Sequence, residues 1–291
     1  MQCSHPIRIP DPNNKGNFIY VRCGNCTACR IEYQTAWKIR AELEMRNHDS
    51  NLWVALTYDP VHLSLQNLEY EQDKDFSHLG RVGVYDSLEK QELDLFWKRF
   101  RKAISPLKIR YMQCGEYGGK FGRPHYHAII FGMDRHHPIF SNFHYVKSRK
   151  GFVGYIPQWP HGEFWISENP ATIENAEYLA KYIHKKHKGK QAKEYYEDLN
   201  IKPEFFSVSN RPGIGAVKID EFSKYYQFHP YYETKGKKLS LPRYVVERVD
   251  KNIDDFKETI EFNNLEHRKL FGVRDFDGQQ QERNLAHVKK G

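Results

Sequence analysis

Two patterns of apolar and polar positions run along the chain, one with the period of a helix and one with the period of a strand. Apolar residues at helical spacing predict three helices, over residues 27–46, 93–104 and 171–187. Shorter apolar runs bounded by turn residues predict five strands, over residues 52–58, 108–115, 125–132, 163–166 and 203–207.

The connections between these elements predict how they are arranged. The strands at 108–115 and 125–132 flank the glycine-rich turn Tyr117–Arg123, which is typical of a β-hairpin. Residues 134–170, rich in His, Pro, Gly and aromatic side chains, are predicted to be loops around the short strand at 163–166, and the chain from Ala216 onward to be helical.

Composition adds a preference for a polyanionic partner. The chain has 291 residues with a formal net charge of +8, a pI near 9.0 and a mean hydropathy of −0.79. Basic residues cluster at 98–110 and 181–190, on either side of the chemical motifs described below. No apolar run approaches the ~20 residues of a membrane helix, and the first residues do not resemble a signal peptide. We therefore expect a cytoplasmic protein with no membrane partner.

A candidate metal site lies in the predicted hairpin. His125 and His127 alternate with Tyr126, so in a strand both imidazoles point to one face, about 7 Å apart along the strand. Two imidazoles need a third ligand, and antiparallel pairing would bring Glu116 close to them, with Gln113 as a weaker alternative. Two histidines and a carboxylate with open positions suit Mg²⁺ or Mn²⁺.

The third predicted helix carries two distinct faces. With about 100° of rotation per residue, Tyr178, Tyr182 and Lys185 share one face, apart from an aliphatic face suited to packing on a sheet. A stripe of core aromatics would instead extend the aliphatic face. The spacing therefore favours a chemical role for the two phenols.

Four of the five cysteines, Cys3, Cys23, Cys26 and Cys29, lie near the start of the chain. A reducing cytoplasm argues against disulfides, and four thiolates are enough for a closed tetrahedral zinc site. The spacing is not the paired CxxC of a zinc ribbon, so reduced thiols at a helix start remain the alternative.

Three stretches together resemble the motifs of HUH endonucleases that start rolling-circle DNA replication. They are ALTYDP at Ala55–Pro60, His125–His127, and YLAKYIHKK at Tyr178–Lys186. The stretches CGNCTACRIEYQTAWKIRAE, CGEYG and SNRPGIG make the sequence most similar to initiators of microviruses, of gokushovirus type, over roughly residues 1–245. This implies an HUH or RRM-like central antiparallel sheet flanked by helices, in an α+β chain. The expected parts are a Cys-rich arm and helix over 1–50, a nuclease core over 51–230 and a helical extension over 231–291.

The resemblance also implies a reaction. A tyrosine attacks single-stranded origin DNA with help from Mg²⁺ or Mn²⁺, forming a 5′-phosphotyrosyl link, and the second tyrosine later takes part in releasing a single-stranded circle. Lys185 would stabilise the developing charge and, since it shares the face of Tyr182, favours Tyr182 as the stronger nucleophile. Predicted DNA contacts are Thr57, Tyr58, Arg123, Lys181, Lys186, Asn210 and Arg211.

The predicted partners are single-stranded or supercoiled origin DNA in the cytoplasm of a bacterial host. Because the sequence lacks a GxxxxGK[ST] loop, we expect a host helicase and host replication proteins to supply unwinding and synthesis. Two rival interpretations are an HUH relaxase or transposase, and a non-catalytic, zinc-containing single-strand-binding protein.

Overall fold

A computed structural model describes residues 3–12, 14–62, 87–118, 122–185, 195–197, 200–234, 236–251, 255–256, 258 and 260. The strands are β1 Ile7–Pro10, β2 Phe18–Val21, β3 Asn51–Thr57, β4 Arg110–Tyr117, β5 Pro124–Phe131, β6 His144–Val146, β7 Gly151–Ile156, β8 Trp159–Ser167, β9 Phe205–Val208, β10 Tyr231–Thr234 and β11 Lys237–Ser240. The helices are α1 Thr27–Met45, α2 Lys90–Ala103, α3 Ile173–Lys185, α4 Ala216–Glu221, α5 Ser223–Phe228 and α6 Arg243–Asp250. The chain forms two compact units, one of Ala41–Gly215 and one of Met1–Arg40 with Ala216–Gly291.

The unit of Ala41–Gly215 is built on one seven-stranded antiparallel sheet with the strand order β6-β7-β8-β3-β5-β4-β9. The central strands β3, β5 and β4 pair over most of their lengths, which fixes the face to which each side chain points. The predicted hairpin of β4 and β5 is confirmed, and Tyr117 pairs with Pro124 at its turn end.

One face of this sheet is covered by α2. The buried side of α2 packs on even-numbered strand positions such as Val54, Tyr126 and Ala128. Its members in the helix are Leu93, Phe96, Trp97 and Phe100. This aromatic-rich core leaves the odd-numbered positions of β3 and β5 on the other face, where α3 lies.

Glu44 joins α1 to the edge of the sheet. Its carboxylate, 2% exposed, forms an ion pair with Arg110 at 2.6 Å and with His48 at 3.1 Å. The same carboxylate accepts the backbone N–H of Gly215 at 2.6 Å. A buried carboxylate with three donors is stabilising only as a complete set, because removing one partner leaves an unpaired charge.

The prediction of loops over residues 134–170 is wrong. This stretch forms β6, β7 and β8, and the buried positions of β8 alternate as in a regular strand. The glycines that suggested loops occur where the backbone approaches other groups closely. At Gly162 a Cβ atom would collide with the backbone at Thr57, and at Gly154 with the ring of Phe143.

The other unit contains two small hairpins in addition to its helices. β1 pairs with β2, and β10 pairs with β11, both antiparallel. The prediction of a wholly helical C-terminal extension is therefore wrong at Tyr231–Ser240, where β10 and β11 form. Here Tyr232 is buried and Gly236 adopts a positive φ of 70° in the turn.

The α+β class and an antiparallel sheet flanked by helices are confirmed, while the HUH type of fold remains a prediction. Over the residues described, no helix is both long and apolar enough to cross a lipid bilayer.

Candidate active site

Three donor groups converge on the face of the sheet that α3 covers. The Nε2 atoms of His125 and His127 lie 3.1 and 3.0 Å from one oxygen, Oε1, of Glu116. The ligand atoms of the three residues all lie within 4.8 Å of one another. The carboxylate is buried and the two imidazoles are partly exposed, so the cluster is open on the histidine side.

Strand register produces this convergence. Glu116 of β4 pairs directly with His125 of β5, and Cys114 pairs with His127. Positions two apart along a strand share a face, so both imidazoles and the carboxylate point the same way. The turn that brings the strands together is closed by a bond from the Gly118 N–H to the Arg123 carbonyl at 2.9 Å. Gln113, the weaker candidate ligand, points to the opposite face, where its amide donates to Ser207 at 2.8 Å.

The charges of the three groups are strongly coupled. Burial would raise the pKa of Glu116, but hydrogen bonds from His125, His127 and Tyr178 hold it at about 2. Burial would likewise lower the pKa of His125, yet the hydrogen bond to Glu116 raises it. Burial lowers the pKa of His127, and the Glu116 carboxylate offsets this only in part. The carboxylate is therefore ionised, and His127 favours its neutral, ligand-competent form.

Both imidazoles are held in position by their neighbours. The Nδ1 of His125 lies 3.1 Å from the carbonyl oxygen of Arg123. A proton placed there leaves the Nε2 lone pair directed at the cluster, as in metal-binding histidines. The ring of His127 stacks on the indole of Trp53, with centroids 5.0 Å apart and planes 3° apart.

Trp53 was not predicted as a site residue. It also meets the ring of Tyr178 edge to face, at 5.9 Å and 85°. Trp53 shares the parity of Ala55 and Thr57 in β3, so strand periodicity alone puts it on the site face. The stacking itself depends on tertiary packing with α3.

The two tyrosines of α3 point into the cluster one behind the other. Tyr178 Oη donates to Glu116 Oε1 at 2.5 Å, and Tyr182 Oη donates to Tyr178 Oη at 2.9 Å. Tyr182 is 3% exposed, whereas Tyr178 is only partly buried. Burial first, and then the hydrogen bond to Glu116, raise the pKa of Tyr178 well above its ordinary value. Tyr178 is thus a neutral phenol in this arrangement and the one in direct contact with the carboxylate.

Helix α3 owes this placement to its apolar side and to its first turn. Ala176, Leu179 and Ala180 are fully buried, which sets the rotation of the helix on the sheet. The side chain of Asn175 accepts the N–H of Thr172 at 2.8 Å, half of a capping box.

The donor set fits a hard divalent cation. Nitrogen and carboxylate ligands at one open cluster suit Mg²⁺ or Mn²⁺. All three hydrogen bonds converge on Oε1 of Glu116, so a cation would take the place that the three protons now share.

The predicted DNA contacts in the β3 region divide between the two sides of the sheet. Thr57 pairs with His125 and lies on the site face. Tyr58 is in the core instead, 8% exposed, with its hydroxyl 2.9 Å from that of Tyr126. It is therefore not available to stack on a base, contrary to the expectation. Arg123 is exposed beside His125 and donates to the Tyr58 carbonyl at 2.8 Å.

The turn that begins with Asn210 and Arg211 is exposed but lies away from the cluster. It follows β9, whose Val208 pairs with Met112, so it approaches the opposite end of β4 from Glu116, about 16 Å along the strand. The structure does not bring these two residues to the site.

The predicted basic contacts are distributed unevenly. Lys181 is exposed on α3. The helix ends at Lys185, whose side chain lies outside the described part of the chain, as does Lys186. In the 98–110 cluster, Arg110 is occupied by the ion pair with Glu44, and α2 lies on the other face of the sheet.

The four N-terminal cysteines also come together. The sulfur atoms of Cys3, Cys23, Cys26 and Cys29 all lie within 4.8 Å of one another, and all four are free thiols. They form a second metal-competent group among the described residues, in the unit that contains the two small hairpins.

Comparison with known proteins identifies the segment that carries this geometry. The sequence profile of the replication-associated protein ORF2 family matches residues 51–187. This stretch of the chain belongs to that family. It contains β3, β4, β5 and α3, hence every histidine, carboxylate and tyrosine of the cluster.

Individual relatives point the same way. The chain is 29% identical to replication-associated protein VP4 of Bdellovibrio phage phiMH2K, over 87% of this chain and 78% of that protein. It is 27% identical to replication-associated protein ORF2 of Spiroplasma virus 4, over 81% and 69%. It is 24% identical to replication-associated protein ORF4 of Chlamydia phage 1, over 86% and 59%. The sequence resemblance to microvirus replication proteins is thereby confirmed. No solved structure matches the chain.

Proposed function

We propose that this protein is a phage replication initiator that nicks single-stranded origin DNA through Tyr178. One observation carries the proposal. The Tyr178 hydroxyl lies 2.5 Å from the same Glu116 oxygen to which His125 and His127 point. A nucleophile in contact with a cation-binding set is the arrangement that phosphoryl transfer needs, and the family match supplies DNA replication as its context.

The reaction exchanges one phosphodiester for another. Tyr178 Oη attacks the scissile phosphorus in line, the bond from phosphorus to the 3′ oxygen breaks, and that oxygen leaves as a 3′-hydroxyl once it has gained a proton. The 5′ phosphate stays on the tyrosine. Attack by a 3′-hydroxyl on this ester reverses the step, so the same site both nicks and religates without a nucleotide cofactor.

The residues of the site divide the work. Glu116, His125 and His127 would hold Mg²⁺ or Mn²⁺. When bound, such a cation neutralises charge on the phosphate oxygens and offsets the carboxylate charge that keeps Tyr178 protonated. Trp53 keeps His127 and Tyr178 in place through two ring contacts. Thr57 and Arg123, beside His125, are the DNA contacts that the geometry supports best.

The contacts favour a different order of the tyrosines from the one that the Lys185 spacing suggests. Tyr178 contacts the carboxylate directly, whereas Tyr182 reaches it only through the Tyr178 hydroxyl and is almost fully buried. We therefore assign the first nick to Tyr178. Tyr182 becomes the second nucleophile when Tyr178 carries DNA and no longer shields it.

The proposed setting follows from the reaction. The substrate is single-stranded or supercoiled origin DNA in the cytoplasm of a bacterial host, and strand separation is left to a host helicase. Release of a circular single strand completes a round of replication. The cysteine cluster takes no part in the chemistry, and its role is structural.

Trapping the covalent product tests the proposal. The protein is incubated with labelled single-stranded oligonucleotides tiled across the genome that encodes it, with Mn²⁺, and then examined for an SDS-resistant protein–DNA band. One tile should give the band, Tyr178→Phe should lose most of it, and Tyr178→Phe with Tyr182→Phe all of it. Tyr225→Phe, at an exposed tyrosine of α5, is the control and should match the wild type.

Retention of the band in the double variant would place the nucleophile elsewhere. Binding of every tile without any band, unchanged in the double variant, would favour a non-catalytic single-strand-binding protein.

A further inference from the structure

The four cysteines occupy the two ends of the β1–β2 hairpin and the start of α1. Cys3 precedes β1, Cys23 follows β2, and Cys26 and Cys29 lie at the first turn of the helix. Chain segments about twenty residues apart therefore meet at one point, with Cys26 and Cys29 buried and the other two half-buried.

The sulfur separations match a tetrahedral metal site. Cys23 and Cys29 are 4.0 Å apart, and Cys3 and Cys26 are 3.8 Å apart. A tetrahedron with Zn–S bonds of about 2.3 Å has sulfur–sulfur edges of about 3.8 Å, whereas a disulfide requires about 2.05 Å. The cluster therefore has the size of a zinc site without distortion of the chain.

Backbone donors around the sulfurs are arranged for thiolates. The N–H groups of Asn25 and Cys26 point to Cys23 Sγ at 3.4 and 3.3 Å, and the Cys23 N–H points to Cys3 Sγ at 3.3 Å. Gly24 turns this loop with a positive φ of 72°, a conformation that few other residues adopt readily. Hydrogen bonds of this kind stabilise metal-bound thiolates and fix their orientation.

We propose that Cys3, Cys23, Cys26 and Cys29 bind one structural Zn²⁺ that closes the base of the β1–β2 hairpin. Four thiolates and no open position make a structural site rather than a catalytic one. Their softness distinguishes this site from the carboxylate–imidazole cluster, so the two sites select different metals. This inference does not depend on the nicking reaction.

The hairpin needs such an anchor because it buries little. β1 and β2 share only four residue pairs, and Ile7, Phe18 and Tyr20 are 49%, 52% and 70% exposed. An isolated two-stranded hairpin is marginally stable in water at best. Zinc binding contributes its free energy directly to folding where the site does not exist in the unfolded chain.

Metal analysis of the full-length protein, purified under reducing conditions, tests the proposal. We expect one zinc per chain. Cys3→Ser and Cys26→Ser should each lower the zinc content to near zero. Cys114→Ser, at the cysteine outside the cluster, should keep one zinc. Absence of metal from the wild type, iron in place of zinc, or full zinc in both cluster variants would overturn the assignment.

A second measurement keeps the test independent of misfolding. Protein stripped of zinc and loaded with Co²⁺ should show the visible and near-ultraviolet bands of tetrahedral cobalt thiolate, and limited proteolysis within 3–22 should slow on Zn²⁺ addition. Cys3→Ser removes one ligand from the N-terminal arm and leaves the sheet unit unaltered. If Cys3→Ser gives the same cobalt spectrum and the same protection as the wild type, a four-cysteine site is ruled out.

Discussion

The indole of Trp53 gives a quantitative test of how the cluster is held. Its ring stacks on His127 and meets Tyr178 edge to face. Each aromatic pair contributes about 0.5–1.5 kcal/mol beyond simple burial, so Trp53→Ala removes about 1–3 kcal/mol of positioning energy. If that energy keeps His127 in its ligand position, the Mn²⁺ concentration for half-maximal adduct formation should rise roughly 5- to 140-fold.

The assay is a Mn²⁺ titration of covalent adduct formation on the reactive oligonucleotide, with the dissociation constant for DNA measured in parallel. Trp53→Phe retains a stacked ring and should recover most of the loss. Loss of thermal stability alone would not shift the Mn²⁺ midpoint. A Trp53→Ala protein with the wild-type midpoint would therefore refute the idea that this indole positions the cluster.

Three further outcomes are expected. His127→Ala should abolish adduct formation but leave salt-sensitive DNA binding, measured by fluorescence anisotropy, nearly intact; full activity in EDTA would contradict the metal assignment. Glu44→Gln should lower the free energy of unfolding in urea by about 2–4 kcal/mol, because Arg110 loses its buried partner. Hydrogen bonding and Arg110 depress the pKa of Glu44 despite burial, so its stabilisation is present above about pH 4.5, is lost as pH falls through the folded pKa, and should be missing in Glu44→Gln. Tyr126→Phe should cost about 1–3 kcal/mol in the same assay, since the Glu89 N–H at the start of α2 loses its acceptor.

The metal-binding geometry was predictable because it depends on short-range rules. A hairpin with one turn fixes which residues of its two strands face each other, so Glu116 could be placed beside His125 from the sequence. Helical periodicity likewise put Tyr178 and Tyr182 on one face of α3. Strand parity also contained a warning, because Tyr58 follows Thr57 directly and must point to the opposite side of the sheet.

Long-range pairing and close packing were not accessible in the same way. The turn at Asn210 lies far from Glu116 because β9 pairs antiparallel with β4, a register that no local signal specifies. The strands β6, β7 and β8 were missed because glycines such as Gly162 are typical of loops, whereas here they admit a neighbouring backbone. The order of the two tyrosines depends on which hydroxyl reaches Glu116, a tertiary contact between α3 and β4.

The central claim is that Tyr178 is the residue that takes up DNA first. The most direct measurement is mass spectrometry of the wild-type adduct after nuclease and protease digestion, on an oligonucleotide with a single cleavage site. We predict that the nucleotide phosphate is found on the peptide containing Tyr178, with fragment ions that localise it to that residue. Localisation to Tyr182, or to a residue outside α3, would contradict the account.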